Sequence, residues 1–401
     1  MKILLVNKFL YPRGGAETYT LKIGNQLEKM GHEVQYFGMY DTKNVVGNQY
    51  GLYTSNMELH RWSLSAVTYP IHIIYSLEAK KKIKELIQTF KPDIVHLNNI
   101  NFHLTPSIIE GASECGVRIV QTVHDLQMLC PNHLMLSTDL QICSKCMDGN
   151  YMHCIKESCI HGSRIKSICG AIEAMLYKKR DTYSLVDKFI CPSYFMERML
   201  LQKDIYRDKT ITIHNFIDID IPKHVMEKED YILYFGRLSE EKGIGMILEL
   251  AKHLKETIYI AGTGPMQEDC EKSDDVTYIG FKTGNELMEL IGKAKLTLYP
   301  SVWYENCPMS ILESQSLGTP VIASDLGGIK ELIQDGTTGY TISGITTEKM
   351  YRIINTLMND NKRLDYMSQK CKESKSTNLE TYVHLLEKEY KKVLKMEGKN
   401  E

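Results

Sequence analysis

The chain of 401 residues is long enough to form two domains, each with its own hydrophobic core. Its 48 Lys and Arg residues nearly balance its 50 Asp and Glu residues, and the formal net charge of -2 gives no overall field that would indicate a nucleic-acid partner. Residues 1–8 have too short an apolar core for a signal peptide, and the longest hydrophobic stretch, residues 65–77, is too short to span a bilayer of ~30 Å. The sequence therefore predicts a cytoplasmic protein.

The first third of the chain alternates strand-like and helix-like segments. Short aliphatic or β-branched runs predict strands at residues 3–6, 33–37, 93–97 and 118–123, and helical spacing of apolar residues predicts helices at 18–30 and 77–90. This alternation predicts an α/β fold with a parallel sheet covered by helices. Ligands of such sheets bind at the carboxyl ends of the strands.

A glycine loop, residues 11–17, follows the first predicted strand and leads into a helix. Gly14 and Gly15 would let the backbone approach a ligand closely, and a helix start favours anions. A plain turn is the commoner use of two adjacent glycines. The loop does not match the GxGxxG dinucleotide fingerprint, which argues against an NAD enzyme.

A basic run in the second predicted helix contains Lys80, Lys81, Lys82 and Lys84. The favoured interpretation is a solvated helix face. The alternative is an interfacial patch on anionic lipid, to which each basic side chain would contribute roughly 1 kcal/mol.

A His-Asp pair ends the predicted strand at residues 118–123, which places His124 at the carboxyl edge of the sheet. A lone His is more often a structural residue than a catalyst. Its position nevertheless makes His124 a candidate active-site residue, with Asp125 as a group that could fix its tautomer.

A cysteine-rich segment follows immediately, and it holds five of the eleven cysteines. In a chain without export signals these thiols should be reduced rather than paired in disulfides. Cys143, Cys146, Cys154 and Cys159 could hold a structural zinc ion through four thiolates at about 2.3 Å, with Cys130 as an alternative ligand. The other interpretation is a set of reduced, partly buried thiols.

A second alternating series of predicted strands and helices begins near residue 231, after a polar segment, residues 222–230, that we interpret as a linker. A strongly helical segment, residues 378–395, carries Tyr382, Leu385, Leu386, Glu389 and Val393 on one face. We predict a first domain at 1–218 with a cysteine-rich insert at about 129–162, a second domain at 219–376, and a C-terminal helix at 377–401.

Two cations follow the first strand of this second series. Arg237 can bind phosphate oxygens through paired donors, and Lys242 adds a point charge on a loop that opens with Gly236. Surface salt bridging is the alternative. A further glycine loop around Gly264 follows the next predicted strand.

The segment 301–318 reads as a loop after a strand and then a helix of about three turns that ends near Gly318. Its start, at Pro308, would expose backbone N–H groups that attract a phosphate. Glu305 and Glu313 flank this point and would suit sugar hydroxyls rather than a bare phosphate. Phosphate together with hydroxyls indicates a nucleotide sugar, although two Glu residues alone would read better as solvated side chains.

The spacing of these residues resembles the nucleotide-sugar site of family 4 glycosyltransferases. Seven residues separate Glu305 from Glu313, Pro300-Ser301 precedes them, and Glu331-Leu332-Ile333 and residues 336–340 follow. The cysteine-rich insert after the His-Asp motif is similar to one subgroup of that family. The resemblance implies a GT-B fold, with two Rossmann-like parallel-sheet domains that face a cleft and a C-terminal helix that crosses back to the first domain.

The resemblance also implies roles for individual residues. Glu305 would hold the hydroxyls of the donor sugar, and Glu313 those of the ribose. Arg237 and Lys242 would neutralise the leaving nucleoside diphosphate, and His124 would contact the donor sugar or orient the acceptor. Backbone around the donor would come from Gly14, Gly15, Gly236, Gly264, Pro308, Met309, Ser310 and Ile311.

The implied activity is transfer of a sugar, with retention, from a nucleoside-diphosphate sugar to a hydroxyl of a saccharide or lipid-linked saccharide. It would require no divalent metal, and it would serve cell-surface polysaccharide or glycolipid assembly. Peripheral contact with the inner face of the membrane would suit a lipid-linked acceptor. Two alternatives share the fold, a nucleotide-sugar epimerase and a non-catalytic nucleotide-sugar-binding protein. A zinc-ribbon nucleic-acid binder would rest on the cysteines alone, and the balanced charge disfavours it.

Overall fold

The computed structural model describes residues 1–56, 69–219, 226–374 and 376–396, with the backbone alone at 69–71. It divides into two compact units. The first unit comprises Met1–Asp139, Cys143–His214 and Leu379–Glu401, and the second comprises Leu140–Ile142 and Asn215–Asn378. The predicted limits of the domains, 1–218, 219–376 and 377–401, remain a prediction beside this division.

The first unit is built on a parallel sheet of six strands in the order β2-β1-β3-β4-β5-β6. Its central strands are buried on both faces, and aliphatic residues such as those of β1 fill much of this buried sheet. The strands are β1 (Lys2–Val6), β2 (Glu33–Phe37), β3 (Ile94–Leu97), β4 (Arg118–Thr122), β5 (Lys188–Cys191) and β6 (Thr210–Thr212). The helices are α1 (Gly15–Lys29), α2 (Tyr69–Ile74), α3 (Leu77–Phe90), α4 (Ser107–Glu114), α5 (Met152–Lys156), α6 (Arg164–Lys179) and α7 (Tyr194–Leu200).

Serine caps fix where three of these helices begin. The hydroxyls of Ser76, Ser163 and Ser193 accept hydrogen bonds from backbone N–H groups in the first turns of α3, α6 and α7. Each cap satisfies a donor that would otherwise lack a partner inside the helix. The first turns are therefore locally specified by the sequence.

The second unit repeats the architecture with a parallel sheet in the order β12-β11-β10-β7-β8-β9. The strands are β7 (Glu229–Phe235), β8 (Thr257–Ala261), β9 (Thr277–Gly280), β10 (Ala294–Tyr299), β11 (Val321–Ser324) and β12 (Gly339–Ile342). The helices are α8 (Ile244–Ala251), α9 (Gln267–Lys272), α10 (Gly284–Lys293), α11 (Met309–Ser316), α12 (Thr347–Met358) and α13 (Asn361–Glu373). The linker predicted at 222–230 extends too far, because Glu229 already begins β7; residues 222–225 lie outside the described part of the chain.

The last helix, α14 (Leu379–Lys395), belongs to the first unit and contacts α1. A buried polar network holds it there. The hydroxyl of Tyr382 lies 2.7 Å from that of Tyr19 in α1, and the hydroxyl of Tyr390 lies 2.6 Å from Nδ1 of His96 in β3. The helical face was predicted correctly except at Leu385, which is 42% exposed.

No helix in the described ranges, which leave out residues 57–68, is long and apolar enough to cross a membrane. Part of the hydrophobic stretch at 65–77 is described, and it forms α2 and the start of α3. Residues 65–68 lie outside the described residues.

Candidate active site

An ion pair between Lys242 and Glu305 forms the centre of the candidate site in the second unit. Lys242 follows β7 and Glu305 follows β10, and these strands are neighbours in the sheet. Because parallel strands end at the same edge, the topology brings the two loops together. Nζ of Lys242 lies 2.6 Å from Oε1 of Glu305. Lys242 and Glu305, which the sequence analysis predicted in two separate motifs, therefore form one ion pair.

Glu305 is buried, with 7% of its surface exposed, and is surrounded by donors. The Ser301 hydroxyl donates to Oε1 at 2.6 Å, and the indole N–H of Trp303 donates to the same oxygen at 2.5 Å. Burial alone would raise the pKa of Glu305, but the Lys242 charge and these hydrogen bonds outweigh it and hold the pKa below its ordinary value. The carboxylate therefore stays ionised at neutral pH.

Lys242 is held by aromatic groups as well as by the carboxylate. Its ammonium lies 3.2 Å from the Tyr299 hydroxyl and 5.0 Å from the ring centroid of Trp303. Burial lowers the pKa of Lys242, but the Glu305 carboxylate outweighs this effect, so the pKa lies above its ordinary value. The cation is permanently charged and fixed in position.

Two glycines allow these loops to approach. Gly243, with a φ of +77°, follows Lys242, and a Cβ there would lie 2.2 Å from the carbonyl oxygen of Pro300. Gly327, with a φ of +69°, pairs with Glu305, and a Cβ there would lie 2.0 Å from the Glu305 carbonyl oxygen. A side chain at either position would displace the backbone of the loops that carry Lys242 and Glu305.

Four residues of this cluster had no role assigned from the sequence: Tyr299, Ser301, Trp303 and Gly327. Ser301 and Trp303 stand within four residues of Glu305 on the loop after β10, so their closeness along the chain was the available signal. Gly327 is distant in sequence and is brought in by the loop after β11.

The helix start predicted as an anion site is present at α11. Pro308 precedes its first turn in an extended conformation, and no side chain caps the helix. The N–H groups of Met309 and Ser310 therefore lack the side-chain cap that would compete with a ligand. Ile311 is buried in the core. The helix has eight residues, about two turns rather than three, and Glu313 lies half-buried within it.

The other predicted residues of the second unit are placed differently. The Arg237 side chain is 66% exposed and lies 4.0 Å from Oε1 of Glu241, so it is not part of the buried cluster. Gly264 is close to protein backbone, since a Cβ there would lie 2.2 Å from the Leu238 carbonyl oxygen. Gly236 stands beside Tyr234, whose hydroxyl would contact an added Cβ at 3.4 Å. This backbone packing requires a glycine at position 264, and its contact with a ligand stays a prediction.

His124 lies in the first unit, just after β4. Its Nε2 is 3.1 Å from Oδ1 of Asn98, so Asn98 rather than Asp125 is positioned to set the tautomer. Asp125 instead accepts a hydrogen bond from Asn101 and one of 3.0 Å from the backbone N–H of Gln127. Burial lowers the pKa of His124 to about 4, and the Asp125 charge opposes only part of that shift. The imidazole is neutral near pH 7.

The glycine loop of the first unit leads into α1 as predicted, with Gly14 preceding the helix and Gly15 as its first residue. Space around Gly15 is open, because no heavy atom would lie within 4 Å of an added Cβ. A Cβ on Gly14 would lie 3.2 Å from the Glu17 carboxylate, and Glu17 is buried in the first turn. This acidic side chain disfavours a bare phosphate and favours hydroxyl groups at this helix start.

The cysteine-rich segment forms a compact structure against α6. Its five cysteines are reduced and line one small cavity of about 10 Å³, which has room for about one water molecule. Cys154 and Cys159 share a hydrogen bond, and burial raises the pKa of Cys130 to about 11. Within the described residues, no three His, Cys, Asp or Glu side chains are arranged to hold a metal ion. The predicted zinc set, Cys143, Cys146, Cys154 and Cys159, is therefore close together but not assembled as a metal site.

The basic run on α3 makes ion pairs inside the first unit. Lys80 and Lys84 both contact Glu114, at 2.6 and 2.7 Å, and Lys82 contacts Glu78 at 2.9 Å. Lys82 and Lys84 are 35% exposed, as the favoured interpretation of a solvated helix face expects, but Lys80 is only 17% exposed and does not fit it.

Comparison with known proteins identifies this architecture. The two parallel six-stranded sheets, with the C-terminal helix against α1, are those of the GT-B class of glycosyltransferases. The chain belongs to glycosyltransferase family 4: the model described as "Glycosyltransferase Family 4" matches residues 13–221, more than half of the chain. A second model, "Glycosyl transferases group 1", matches residues 216–374. The protein is therefore a glycosyltransferase. This assignment takes the place of the two alternatives from the sequence analysis, an epimerase and a non-catalytic binding protein.

Several relatives are similar over part or most of the chain. The alpha-D-kanosaminyltransferase of Streptomyces kanamyceticus is 30% identical over 37% of this chain and 41% of its own length. An uncharacterized 42.6 kDa protein in the cps region of Klebsiella pneumoniae is 22% identical over 83% of this chain and 87% of its own. The crystal structure of Anabaena Alr3699/HepE in complex with UDP has a TM-score of 0.69 and 16% identity, covering 98% of this chain and 100% of that one.

Proposed function

We propose that this glycosyltransferase takes its sugar from a nucleoside-diphosphate donor bound by the second unit and passes it, with retention, to an acceptor hydroxyl. The observation that carries the proposal is the Lys242–Glu305 pair, a fixed cation and a fixed carboxylate in the unit that also contains the open start of α11. A cation and free N–H groups suit a diphosphate, and a carboxylate suits sugar hydroxyls. UDP is the favoured nucleotide, because the structurally similar Anabaena protein was crystallised with UDP.

The chemistry we propose places charge stabilisation on the chain's own residues. The acceptor oxygen bonds to the anomeric carbon on the face from which the diphosphate leaves. The anomeric carbon–oxygen bond breaks, its electron pair passes to the diphosphate, and a phosphate oxygen takes the acceptor proton. Lys242 and the N–H groups of Met309 and Ser310 stabilise the growing negative charge, assisted by Arg237. No covalent nucleophile is assigned.

The remaining residues bind and orient. Glu305 accepts hydrogen bonds from donor hydroxyls, while Lys242, Ser301 and Trp303 keep its carboxylate in place. Glu313 holds the ribose hydroxyls. The neutral imidazole of His124 contacts the donor sugar or orients the acceptor, and Gly14 and Gly15 leave space at the start of α1.

We propose assembly of a cell-surface polysaccharide or glycolipid as the process served, because a relative similar over most of the chain is encoded in a Klebsiella cps region. The acceptor would then be a saccharide or a lipid-linked saccharide, used at the inner face of the membrane. Lipid contact through Lys80, Lys81, Lys82 and Lys84 has less support, because three of these lysines pair with glutamates. Unchanged liposome binding after all four are replaced by Gln would remove this part of the proposal.

We also propose that the chain is a member of the family subgroup with a cysteine-rich insert and that transfer needs no divalent cation. A separate proposal is that the insert takes up one structural zinc ion. The support for zinc is the convergence of five cysteines on one cavity; uptake would require their side chains to turn toward a common point. Elemental analysis of the purified protein tests this, with Cys169→Ser, outside the cluster, as the control for Cys143→Ser. Less than a tenth of an equivalent of zinc would show that the segment is closed by reduced thiols alone.

The donor is identified by mass-spectrometric analysis of UDP-, GDP- and ADP-sugars incubated with the enzyme and EDTA. We expect release of one diphosphate from one donor, because many transferases pass sugar slowly to water. Glu305→Gln should lower this release, and Glu249→Gln, in an exposed pair, should not. Release that requires added Mg²⁺ would contradict the metal-independent part of the proposal.

A further inference from the structure

A cavity of about 330 Å³ lies in the first unit, between α6 and the loops that follow β4 and α7. Its volume is at the lower end of the range of ~300–1,000 Å³ that small-molecule sites occupy. The mechanism proposed above uses none of its polar side chains.

Buried polar groups line this cavity. Glu173, on α6, is 3% exposed, and Nε2 of Gln127 lies 3.3 Å from its Oε1. Burial raises the pKa of Glu173 to about 8, so the carboxyl group is mostly protonated near neutral pH and can donate as well as accept a hydrogen bond. His133 also lines the cavity, and its buried Nε2 has no hydrogen-bond partner among the described residues. Such groups suit the hydroxyls of a ligand.

The rest of the lining is largely aromatic and aliphatic, and its charged side chains carry no net charge. Tyr151, Tyr177, Tyr183 and Tyr206 contribute rings, which combine an apolar surface with a polar hydroxyl. Two cations, Lys178 and Lys203, are balanced by two carboxylates, Asp181 and Asp204. Apolar faces with neutral hydrogen-bonding groups match a sugar ring, and they do not match a phosphate or another anion.

The cavity adjoins the position of His124. Gln127 and Met128 line both this cavity and the small recess that contains His124 and Asp125. His133 connects the two as well, because its Nδ1 lies 4.0 Å from Oδ2 of Asp125. A ligand in the cavity would therefore be a close neighbour of the histidine assigned to the acceptor.

From this convergence we infer that the cavity binds a neutral saccharide unit of the acceptor, held by Glu173 and Gln127 beside His124. The inference rests on the proposed transfer to an acceptor hydroxyl, and it specifies the chemical class of that acceptor. It also gives the cysteine-rich segment a purpose, since Tyr151 from that segment forms one wall of the cavity.

The test compares two substitutions one residue apart on α6. Ala174 lines the cavity, whereas Met175 is 43% exposed and does not. Ala174→Phe should fill the cavity and Met175→Phe should leave it open. The probes are the methyl glycosides of glucose, galactose, mannose and N-acetylglucosamine, detected by saturation-transfer NMR. We expect at least one glycoside to bind the unchanged protein and Met175→Phe, and to lose its signal with Ala174→Phe.

A second pair of variants keeps the test independent of folding defects in Ala174→Phe. Glu173→Gln preserves a neutral hydrogen-bonding group and should hold the glycoside within threefold of the original affinity. Glu173→Leu keeps the size but removes the polar atoms, and should weaken binding at least tenfold. Thermal unfolding of both variants checks that they are folded.

The outcomes separate this inference from the proposed function. No glycoside binding, or binding that survives both Ala174→Phe and Glu173→Leu, overturns the inference. Hydrolysis of a nucleotide sugar by the unchanged protein without acceptor tests the transferase proposal on its own. Donor hydrolysis combined with an unresponsive cavity would leave the proposed function standing and show that the acceptor binds elsewhere.

Discussion

Replacement of Lys242 by Met removes the cation from the buried pair while keeping a side chain of similar length. At 2.6 Å the direct attraction is about 6 kcal/mol for an effective dielectric constant of about 20, and desolvation of both charges offsets part of it. Loss of one partner from a buried pair typically destabilises by about 3–5 kcal/mol. Glu305 keeps the Ser301 and Trp303 donors, so we expect a loss near the lower end, about 3 kcal/mol at pH 7.5.

The loss of stability in Lys242→Met should depend on pH, and the pKa of Glu305 determines the direction of that dependence. In the unchanged protein burial would raise the pKa of Glu305, but the Lys242 charge and the hydrogen bonds hold it below its ordinary value, so the folded-state carboxylate stays ionised between pH 7.5 and pH 5. Without Lys242, burial dominates and raises the folded-state pKa above the unfolded value. The group then binds a proton more tightly when folded, and its contribution to stability is lost as pH rises. The defect of Lys242→Met should therefore be smaller at pH 5 than at pH 7.5.

Urea unfolding followed by tryptophan fluorescence measures the effect, and in a Trp62→Phe background Trp303 is the single tryptophan of the sequence. Lys252→Met is the control, because its partner Glu249 is 50% exposed and such pairs contribute about 0–1 kcal/mol. Adding Glu305→Gln should recover about 2 kcal/mol of the Lys242→Met defect. A defect below about 1 kcal/mol, or an equal defect at both pH values, would refute the reasoning.

Three further predictions concern the candidate site. In steady-state kinetics the Lys242→Met variant should lose about 100-fold or more in kcat, with a donor KM within about threefold of the original. The reason is that the negative charge that Lys242 meets grows in the transition state, and an unchanged kcat would show that Lys242 has no catalytic role. Glu313→Ala should weaken UDP binding about tenfold in calorimetry through lost ribose hydrogen bonds, and an unchanged Kd would place the ribose elsewhere. The NMR signal of His124, assigned by its loss in His124→Gln, should titrate near pH 4 rather than 6.5, and a midpoint above 6 would contradict its burial.

The regular elements were predictable from the sequence because they are specified locally. The strand at Glu33–Phe37 and the helix at Leu77–Phe90 begin and end at the residues that the apolar periodicity predicted. Such signals span one or two turns of chain, and they depend little on the rest of the fold.

The partners within the site were not predictable, because they depend on strand order. Lys242 and Glu305 are 63 residues apart, and their pairing requires β7 and β10 to be adjacent although two strands separate them in sequence. His124 meets Asn98 for the same reason, since β3 lies beside β4. The sequence neighbour, Asp125, was therefore the wrong choice of partner. The exposure of Arg237 also depends on its loop and not on its residue type.

The position of α14 has a consequence for how the protein is made. The first unit is interrupted in sequence by the second, and its last helix is synthesised after all of residues 215–378. Until that helix leaves the ribosome, His96 and Tyr19 lack the tyrosine hydroxyls that satisfy them in the finished molecule. The second unit is continuous apart from residues 140–142, so it can fold while the first unit still lacks α14. Translation order therefore makes the docking of α14 the step that completes the first unit.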